Sequence, residues 1–145
     1  MMVNSIQEIH TDFLFVYGTL RRGFALHHHL VRMGVEFVGA GVVQAELFDL
    51  GKFPGARKST RPGRVVAGEV YRLRQAQKAL KVLDDVEGVL PQAPEKSLFQ
   101  RARTEVVLRN GVRGVAWIYW LKDRASAKRG VSCGDFVRPR ALSCR

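Results

Sequence analysis

The first stretch that could do chemistry is a turn at residues 17–20, where an apolar strand stops. Residues 13–17 form an apolar, aromatic and β-branched run, and Gly18 breaks it just before Thr19 and Leu20. A buried strand that stops at a glycine-bearing turn leaves several backbone N–H groups directed one way, and such a nest of donors binds anions. The turn therefore predicts a binding site for a carboxylate or a phosphate.

The second candidate is a glutamate at the end of the best predicted helix, residues 74–87. The segment consists mostly of strong helix formers, and Gly88 provides a stop. At 100° per residue from Ala76, Glu87 falls at about 20°, in the middle of the apolar stripe. The apolar stripe consists of Ala79, Leu80, Leu83 and Val86. We therefore expect the carboxyl of Glu87 to face the core.

The neighbouring acids Asp84 and Asp85 fall elsewhere on the helix. Asp84 lies at about 80°, at the edge of the stripe, and Asp85 at about 180°, on the solvent side. Burial and the helix C-terminus both raise the pKa of a carboxyl, which suits Glu87 to proton transfer near neutral pH. The alternative is that the helix frays before residue 87 and leaves Glu87 in solvent.

Other reactive side chains lack the spacing that their chemistry requires. The histidines at positions 27–29 are adjacent, so on a helix they point about 100° apart and cannot share one metal ion. Thr19 and Ser132 have no histidine and acid at a recognisable spacing for nucleophilic catalysis. Cys133 and Cys144 are interpreted as free thiols. We expect no metal and no other cofactor.

Short extended segments make up most of the remaining chain. Gly39 and Gly41 interrupt the longest one, which predicts a bend or bulge, and Asn110–Gly111 predicts a tight hairpin. Residues 25–33 could form a short helix, and residues 51–55 and 57–64 are interpreted as a turn and an exposed hairpin tip. The predicted strands are residues 12–17, 35–50, 65–73, 99–109 and 114–121, and the tail from residue 122 is basic and irregular as far as the segment 131–136.

This pattern predicts an α+β fold. Hairpin-linked strands favour a mainly antiparallel sheet, and glycine-marked bends favour a small closed or half-closed barrel with one or two flanking helices. The 145 residues predict a single domain over residues 1–145, with a loose lead-in at 1–11 and a basic, partly packed tail at 122–145.

Composition limits the location and the partners. With 46% hydrophobic and 26% charged residues the chain is typical of globular proteins, and no apolar run is long enough to span a membrane. The N-terminus lacks the apolar core of a signal peptide, so we expect a cytoplasmic protein. The net charge of +11 is spread along the chain, which favours a basic surface that promotes solubility and leaves a nucleic-acid surface as the lesser alternative.

The order of several motifs resembles that of the γ-glutamyl cyclotransferase-like family. Residues 17–20 resemble the Tyr-Gly-Ser/Thr-Leu signature of that family, and the resemblance extends over roughly residues 13–136. Downstream segments agree in order: 47–54, 66–71, 83–88, 99–101, 116–120 and 132–136. The resemblance implies a small mixed barrel with helices packed outside, which matches the architecture predicted above.

The resemblance also implies an activity and a set of site residues. Enzymes of the family release 5-oxoproline from γ-glutamyl compounds by attack of the α-amine, and a glutamate aligned with Glu87 is the general acid and base. The turn that contains Tyr17, Gly18, Thr19 and Leu20 would bind the substrate. Tyr119 is a further candidate to line the pocket, although Tyr17 and Tyr119 are equally well interpreted as aromatic residues of the barrel core.

Some questions stay open at this point. Family members usually have a tyrosine at the position of Phe99, and the loop from residue 88 to 98 is long, which affects the identity of the leaving group. The alternative function is a non-catalytic binding module that holds a small carboxylate ligand, or a basic protein that contacts nucleic acid. The role of residues 90–98 and the oligomeric state are not determined by the sequence.

Overall fold

The computed structural model describes residues 12–51, 53–122 and 129–131. Its strands are β1 (Phe13–Val16), β2 (Glu36–Asp49), β3 (Pro54–Lys58), β4 (Val65–Arg72), β5 (Phe99–Leu108), β6 (Arg113–Leu121) and β7 (Arg129–Val131). Its helices are α1 (His27–Met33) and α2 (Ala76–Val86), and a 3₁₀ turn spans Pro94–Lys96. The predicted lead-in, Ser132, Cys133 and Cys144 lie outside the described residues.

Five strands close into a barrel in the order β1–β4–β2–β3–β6, and β6 returns to β1. The first three pairs are antiparallel, whereas β3–β6 and β1–β6 are parallel. β5 forms a hairpin with β6 and reaches β2, and β7 adds to β2. The predicted α+β fold, a small mixed and mainly antiparallel barrel with flanking helices, is therefore confirmed.

Alternating side chains separate the inside of the barrel from the layer that faces the helices. Phe15 of β1 and Ile118 of β6 belong to a buried cluster inside the barrel. Leu14, Val16 and Tyr119 point the other way and join the cluster that includes the apolar stripe of α2. The end of β1 consequently lies where the barrel wall meets the helices.

The predicted bend in the long strand is present in β2. The register with β4 shifts between Phe37 and Gly39, so β2 is bulged there. A Cβ atom on Gly41 would lie 3.0 Å from the carbonyl oxygen of Val107, which explains why the close approach of β5 needs a glycine. This bend lets one strand pair with both β4 and β5.

The predicted turn is present between Leu50 and Phe53, but the predictions for residues 54–55 and 57–58 were wrong, because β3 begins at Pro54. Proline is tolerated at the first residue of a strand, where no ladder hydrogen bond from its nitrogen is needed. Residues 54–56 are buried, with Ala56 fully so, and β3 pairs with β2 on one side and β6 on the other. The tip is therefore shorter than predicted and consists of residues 59–64, between β3 and β4.

The helix that carries Glu87 follows the predicted pattern. α2 buries Ala79, Leu80 and Leu83, as the apolar stripe predicted. It ends one residue earlier than predicted, since Glu87 is the C-terminal cap and Gly88 follows with φ of 73°. Only glycine adopts that left-handed conformation without strain, so the stop at this position has a backbone cause.

The hairpin between β5 and β6 turns at Asn110–Gly111, as predicted. Gly111 has φ of 90°, and the Asn110 side chain accepts a hydrogen bond from the N–H of Val112 at 3.0 Å. The structure places β7 within the predicted basic tail. No helix among the described residues is both long and apolar enough to cross a membrane.

Candidate active site

The turn at residues 17–20 has its carbonyl groups occupied and its amide groups available. The carbonyl of Gly18 accepts from the N–H of Arg21 at 3.0 Å, and that of Thr19 accepts from the N–H of Leu26 at 3.0 Å. His27 Nδ1 donates to the carbonyl of Leu20 at 2.9 Å. Within the part of the chain that the structure describes, no group accepts from the N–H groups of residues 18–20. The turn therefore retains three donors.

Glu69 of β4 holds the segment that follows this turn. Its Oε1 accepts from the N–H of Arg22 at 3.1 Å and from the hydroxyl of Tyr71 at 2.9 Å. Its Oε2 lies 3.7 Å from Nε of Arg21, and both side chains are only 14% exposed. Charge-assisted bonds at so little exposure are stronger than surface contacts, so Glu69 fixes the exit of the turn against the barrel.

Tyr17 contributes its ring to the site while its hydroxyl is used inside the protein. The hydroxyl donates to the carbonyl of Tyr119 at 2.6 Å and accepts from the N–H of Ala56 at 3.0 Å. Burial raises the pKa of this phenol, mainly because the ionised form would lose its hydration. Tyr17 thus joins β1, β3 and β6, and both interpretations of this residue hold: it is a barrel-core aromatic and it lines the pocket.

Glu87 faces the same cavity as the turn. The N–H of Glu87 donates to the carbonyl of Leu83 at 2.8 Å, so the helix does not fray before this residue. Burial raises the pKa of the Glu87 carboxyl from 4.5 to about 7. No hydrogen bond to its carboxyl is made by any of the residues that the structure describes. The carboxyl is therefore available to exchange a proton with a bound molecule.

One cavity of about 250 Å³ brings the predicted site residues together. It is lined by Tyr17, Gly18, Thr19, Leu20, Glu87 and Tyr119. The wall is otherwise mostly apolar, and it includes Phe53, Pro54 and Phe99, which the sequence analysis did not assign to binding. Pockets for drug-sized ligands measure about 300–1,000 Å³, so this one suits a molecule of amino-acid size. The assigned roles stay predictions.

A cluster around Asp84 lies beside the cavity and was missed from the sequence. Oδ1 and Oδ2 of Asp84 accept from Nε and Nη2 of Arg101 at 2.8 and 3.2 Å, and Oδ1 also accepts from the hydroxyl of Tyr119 at 2.7 Å. Arg101 in turn lies over the ring of Trp117, 4.6 Å from its centroid. These partners are 17 and 35 residues from Asp84, so no local pattern indicates them.

Tyr119 is a wall of the cavity with a committed hydroxyl. Burial raises its pKa, and the hydrogen bond to Asp84 acts in the same direction because it favours the protonated phenol. The negative charge of Glu87 also raises it, which places Glu87 close to this ring. The hydroxyl of Tyr119 therefore supports Asp84, and its ring is the part that can touch a ligand.

Two of the three adjacent histidines contact backbone carbonyl groups. Nδ1 of His27 and Nδ1 of His28 each lie 2.9 Å from a backbone carbonyl, those of Leu20 and Ala25. In residues 12–51 and 53–122 no group of three or more histidine, cysteine or acidic side chains is arranged to hold a metal ion. His27 instead links helix α1 to the carbonyl of Leu20, at the end of the turn.

The chain matches a known protein family over most of its length. The model of a family described as gamma-glutamyl cyclotransferase, AIG2-like, matches residues 14–138. A protein of Methanocaldococcus jannaschii that is provisionally named a gamma-glutamylcyclotransferase is 27% identical over 127 residues, which are 87% of this chain and 91% of that protein. The described part of the match includes both the turn and Glu87.

Solved structures share the fold. An AIG2-like protein from Mus musculus superposes with a TM-score of 0.70 at 21% identity, covering 92% of this chain and 94% of its own. An uncharacterised protein from Pyrococcus horikoshii gives a TM-score of 0.64 at 21% identity over 90% and 93% of the two chains. A structure named gamma-glutamyl cyclotransferase gives 0.58 at 17% identity over 82% of this chain and 69% of its own. At these identities the likeness extends to the fold alone.

Proposed function

The chain belongs to the gamma-glutamyl cyclotransferase, AIG2-like family, and from that premise we propose that it releases 5-oxoproline from a γ-glutamyl amine or peptide. One observation carries the proposal: a carboxyl with a pKa of about 7 shares a small cavity with the backbone donors of residues 18–20, and neither has a hydrogen-bond partner among the described residues. A γ-glutamyl group has an α-ammonium beside its α-carboxylate. The turn suits the carboxylate, and Glu87 suits the ammonium.

The reaction needs one proton carrier and no external nucleophile. Glu87 accepts a proton from the α-ammonium, and the freed amine nitrogen attacks the γ-carbonyl carbon to form a five-membered ring. The carbonyl oxygen becomes an oxyanion, which backbone N–H donors stabilise. Glu87 then returns the proton to the leaving nitrogen, the oxyanion reforms the carbonyl and the original amide C–N bond breaks. The ring nitrogen loses its second proton, which the released amine takes up as an ammonium, and 5-oxoproline and that amine remain.

The raised pKa of Glu87 has a direct role in this scheme. A carboxyl at its ordinary pKa is a weak base toward an ammonium and a strong acid toward a leaving amine, so one direction would be slow. With a pKa of about 7, the same carboxyl can accept the proton of the α-ammonium and donate it to the leaving nitrogen near neutral pH. The apolar wall of the cavity maintains this pKa, because it denies hydration to the ionised form.

The proposed function is tested with a panel of γ-glutamyl substrates. The purified protein is incubated with γ-glutamyl amino acids, γ-glutamyl amines, glutathione and γ-glutamyl-lysine isopeptide, and 5-oxoproline is measured by chromatography. Catalytic release from at least one member is expected. Binding without release in the same panel would instead favour the non-catalytic module, and retention on heparin that falls steeply with salt would favour a nucleic-acid surface.

The pH dependence of activity should follow Glu87. The free enzyme needs the ionised carboxyl to accept the first proton, so kcat/KM should rise through about pH 7 and level off above it. An ordinary carboxyl would place that rise near pH 4.5. A rate profile from pH 5 to 9 on the best substrate of the panel checks this, and a profile flat from pH 5 to 7 would show that the catalytic base does not have this raised pKa.

Replacing Gly18 by alanine should disturb the donor turn. The added Cβ would lie 2.9 and 3.0 Å from the ring carbons Cγ and Cδ of Pro54, so the turn must shift. We expect kcat/KM to fall by about tenfold, since small misplacements of binding groups are costly. Gly114→Ala is the matched control, because its Cβ would meet nothing within 4 Å. Equal activity of the two variants would contradict a binding role for the turn.

A further inference from the structure

We propose that Asp84 is a positioning residue that holds the last turn of α2, and with it Glu87, against the cavity. The inference rests on the proposed function, because Glu87 is the group that is positioned. Asp84 precedes Glu87 by three residues, so the two side chains lie on adjacent turns of one helix face. Asp84 itself is anchored to both strands of the β5–β6 hairpin.

Both carboxylate oxygens of Asp84 accept hydrogen bonds in this anchor. Arg101 of β5 donates two parallel hydrogen bonds to the carboxylate, and Tyr119 of β6 donates a third. The side chains of Asp84 and Arg101 are 16% and 26% exposed, so water competes little for this pair. A two-pronged guanidinium–carboxylate pair fixes orientation as well as distance.

The backbone of Asp84 is also hydrogen-bonded to the segment that follows α2. Its carbonyl accepts from the N–H of Val89 at 2.8 Å, while the preceding carbonyl, of Leu83, accepts from the N–H of Glu87. Movement of Asp84 would therefore move the segment that contains Glu87 and Gly88. Gly88 has a positive φ, so the chain leaves the helix at this residue in a left-handed conformation that favours glycine.

Asp84 also controls a nearby positive charge. Asp84, Arg101 and Glu87 all act electrostatically on the hydroxyl of Tyr119, so their charges lie in one neighbourhood. With Asp84 present, the guanidinium of Arg101 is paired. Without Asp84 the guanidinium of Arg101 would lose this partner, and an ion pair with Glu87, whose charge acts on the same hydroxyl, would turn the Glu87 carboxyl away from the substrate.

The test compares Asp84→Asn with Asp85→Asn. Asp85 is the adjacent acid on the same helix, and its side chain is exposed, so it controls for removal of one charge from this helix end. We expect Asp84→Asn to lower kcat by about 10- to 100-fold with KM changed by less than about threefold, since a misplaced base slows chemistry more than binding. Asp85→Asn should match the wild type.

A double-mutant cycle separates positioning from direct substrate contact. Tyr119→Phe removes one of the three bonds to Asp84 and should lower kcat by a smaller factor. If both residues act through one anchor, the double variant should be no slower than Asp84→Asn alone. If Asp84→Asn folds poorly, Tyr119→Phe alone keeps the test informative, because it removes one hydrogen bond to Asp84 and preserves the packing of the ring.

The outcomes separate the two proposals. An active wild type whose Asp84→Asn variant is folded and equally fast would overturn the positioning role and leave the proposed function intact. If Asp84→Asn only lowers the melting temperature and leaves kcat per folded molecule unchanged, Asp84 stabilises the fold and does not position Glu87. A wild type that releases no 5-oxoproline from the panel would overturn the proposed function and this inference with it.

Discussion

Glu87→Gln should lower kcat for 5-oxoproline release by about 10³-fold, the size of a general acid–base contribution. Glutamine keeps the length and nearly the shape of the side chain, but it cannot accept and return a proton. The carboxyl of Glu87 makes no hydrogen bond to a described residue, so its replacement breaks no bond of the fold. Initial rates on the best γ-glutamyl substrate, with circular dichroism to establish folding, measure the effect.

Two further variants make this result specific to Glu87. Asp85→Asn removes a carboxyl from the exposed side of the same helix end and should retain full activity. Glu87→Asp keeps the acid but withdraws it by one methylene, so it should be slower than wild type and faster than Glu87→Gln. If Glu87→Gln retained near wild-type turnover, another group would have to carry the proton and the assignment would be wrong.

The sequence was informative where structure is local. The apolar stripe of α2 follows from a 3.6-residue period, and the position of Glu87 within that stripe needed no tertiary information. Gly18 and Gly41 lie where an added Cβ would be 2.9 and 3.0 Å from its nearest neighbour, and Gly111 has a φ of 90° that favours glycine. For the same reason the predicted turn, bend and hairpin all lie where the structure has them.

What the sequence did not predict depends on contacts between distant segments. Residues 54–58 read as a turn and an exposed tip because Pro54 and Gly55 dominate the local pattern. Pairing of this segment with both β2 and β6 makes it a buried strand, which no local propensity encodes. The cluster of Asp84, Arg101 and Tyr119 and the ties made by Glu69 were missed for the same reason.

The sequence identified Tyr17 and Tyr119 as residues that line the cavity, but it did not predict the hydrogen bonds of their hydroxyl groups. The pattern placed Tyr17 and Tyr119 near the cavity but could not say where their hydroxyls point. The structure assigns both hydroxyls to partners within the protein, the carbonyl of Tyr119 and the carboxylate of Asp84. The other polar groups of the described residues that line the cavity are the backbone donors of residues 18–20, the hydroxyl of Thr19 and the carboxyl of Glu87.

Glu87→Gln should also stabilise the folded protein, and the gain should grow with pH. In the unfolded chain the carboxyl of Glu87 titrates at its ordinary pKa of 4.5, and in the folded protein at about 7. Below pH 4.5 both states hold the proton, so wild type and variant should be equally stable. Between pH 4.5 and 7 only the unfolded chain releases it, so wild-type stability falls relative to the variant.

Above pH 7 the difference should be constant at about 3 kcal/mol, because each unit of pKa difference corresponds to about 1.4 kcal/mol. Urea unfolding of both proteins at pH 5 and pH 8.5 measures it, with less than about 1 kcal/mol expected at the lower pH. Asp85→Asn controls for the loss of one charge from this helix and should show no such pH-dependent gain.

The comparison of activity and stability then tests a single physical claim. If burial makes Glu87 a base near neutrality, the wild type must lose stability between pH 4.5 and 7, where the unfolded chain releases this proton and the folded protein keeps it. A Glu87→Gln variant that is inactive but no more stable at pH 8.5 than at pH 5, relative to wild type, would show that the folded carboxyl has an ordinary pKa. Glu87 would then need an energetic source other than desolvation to accept a proton from an ammonium group.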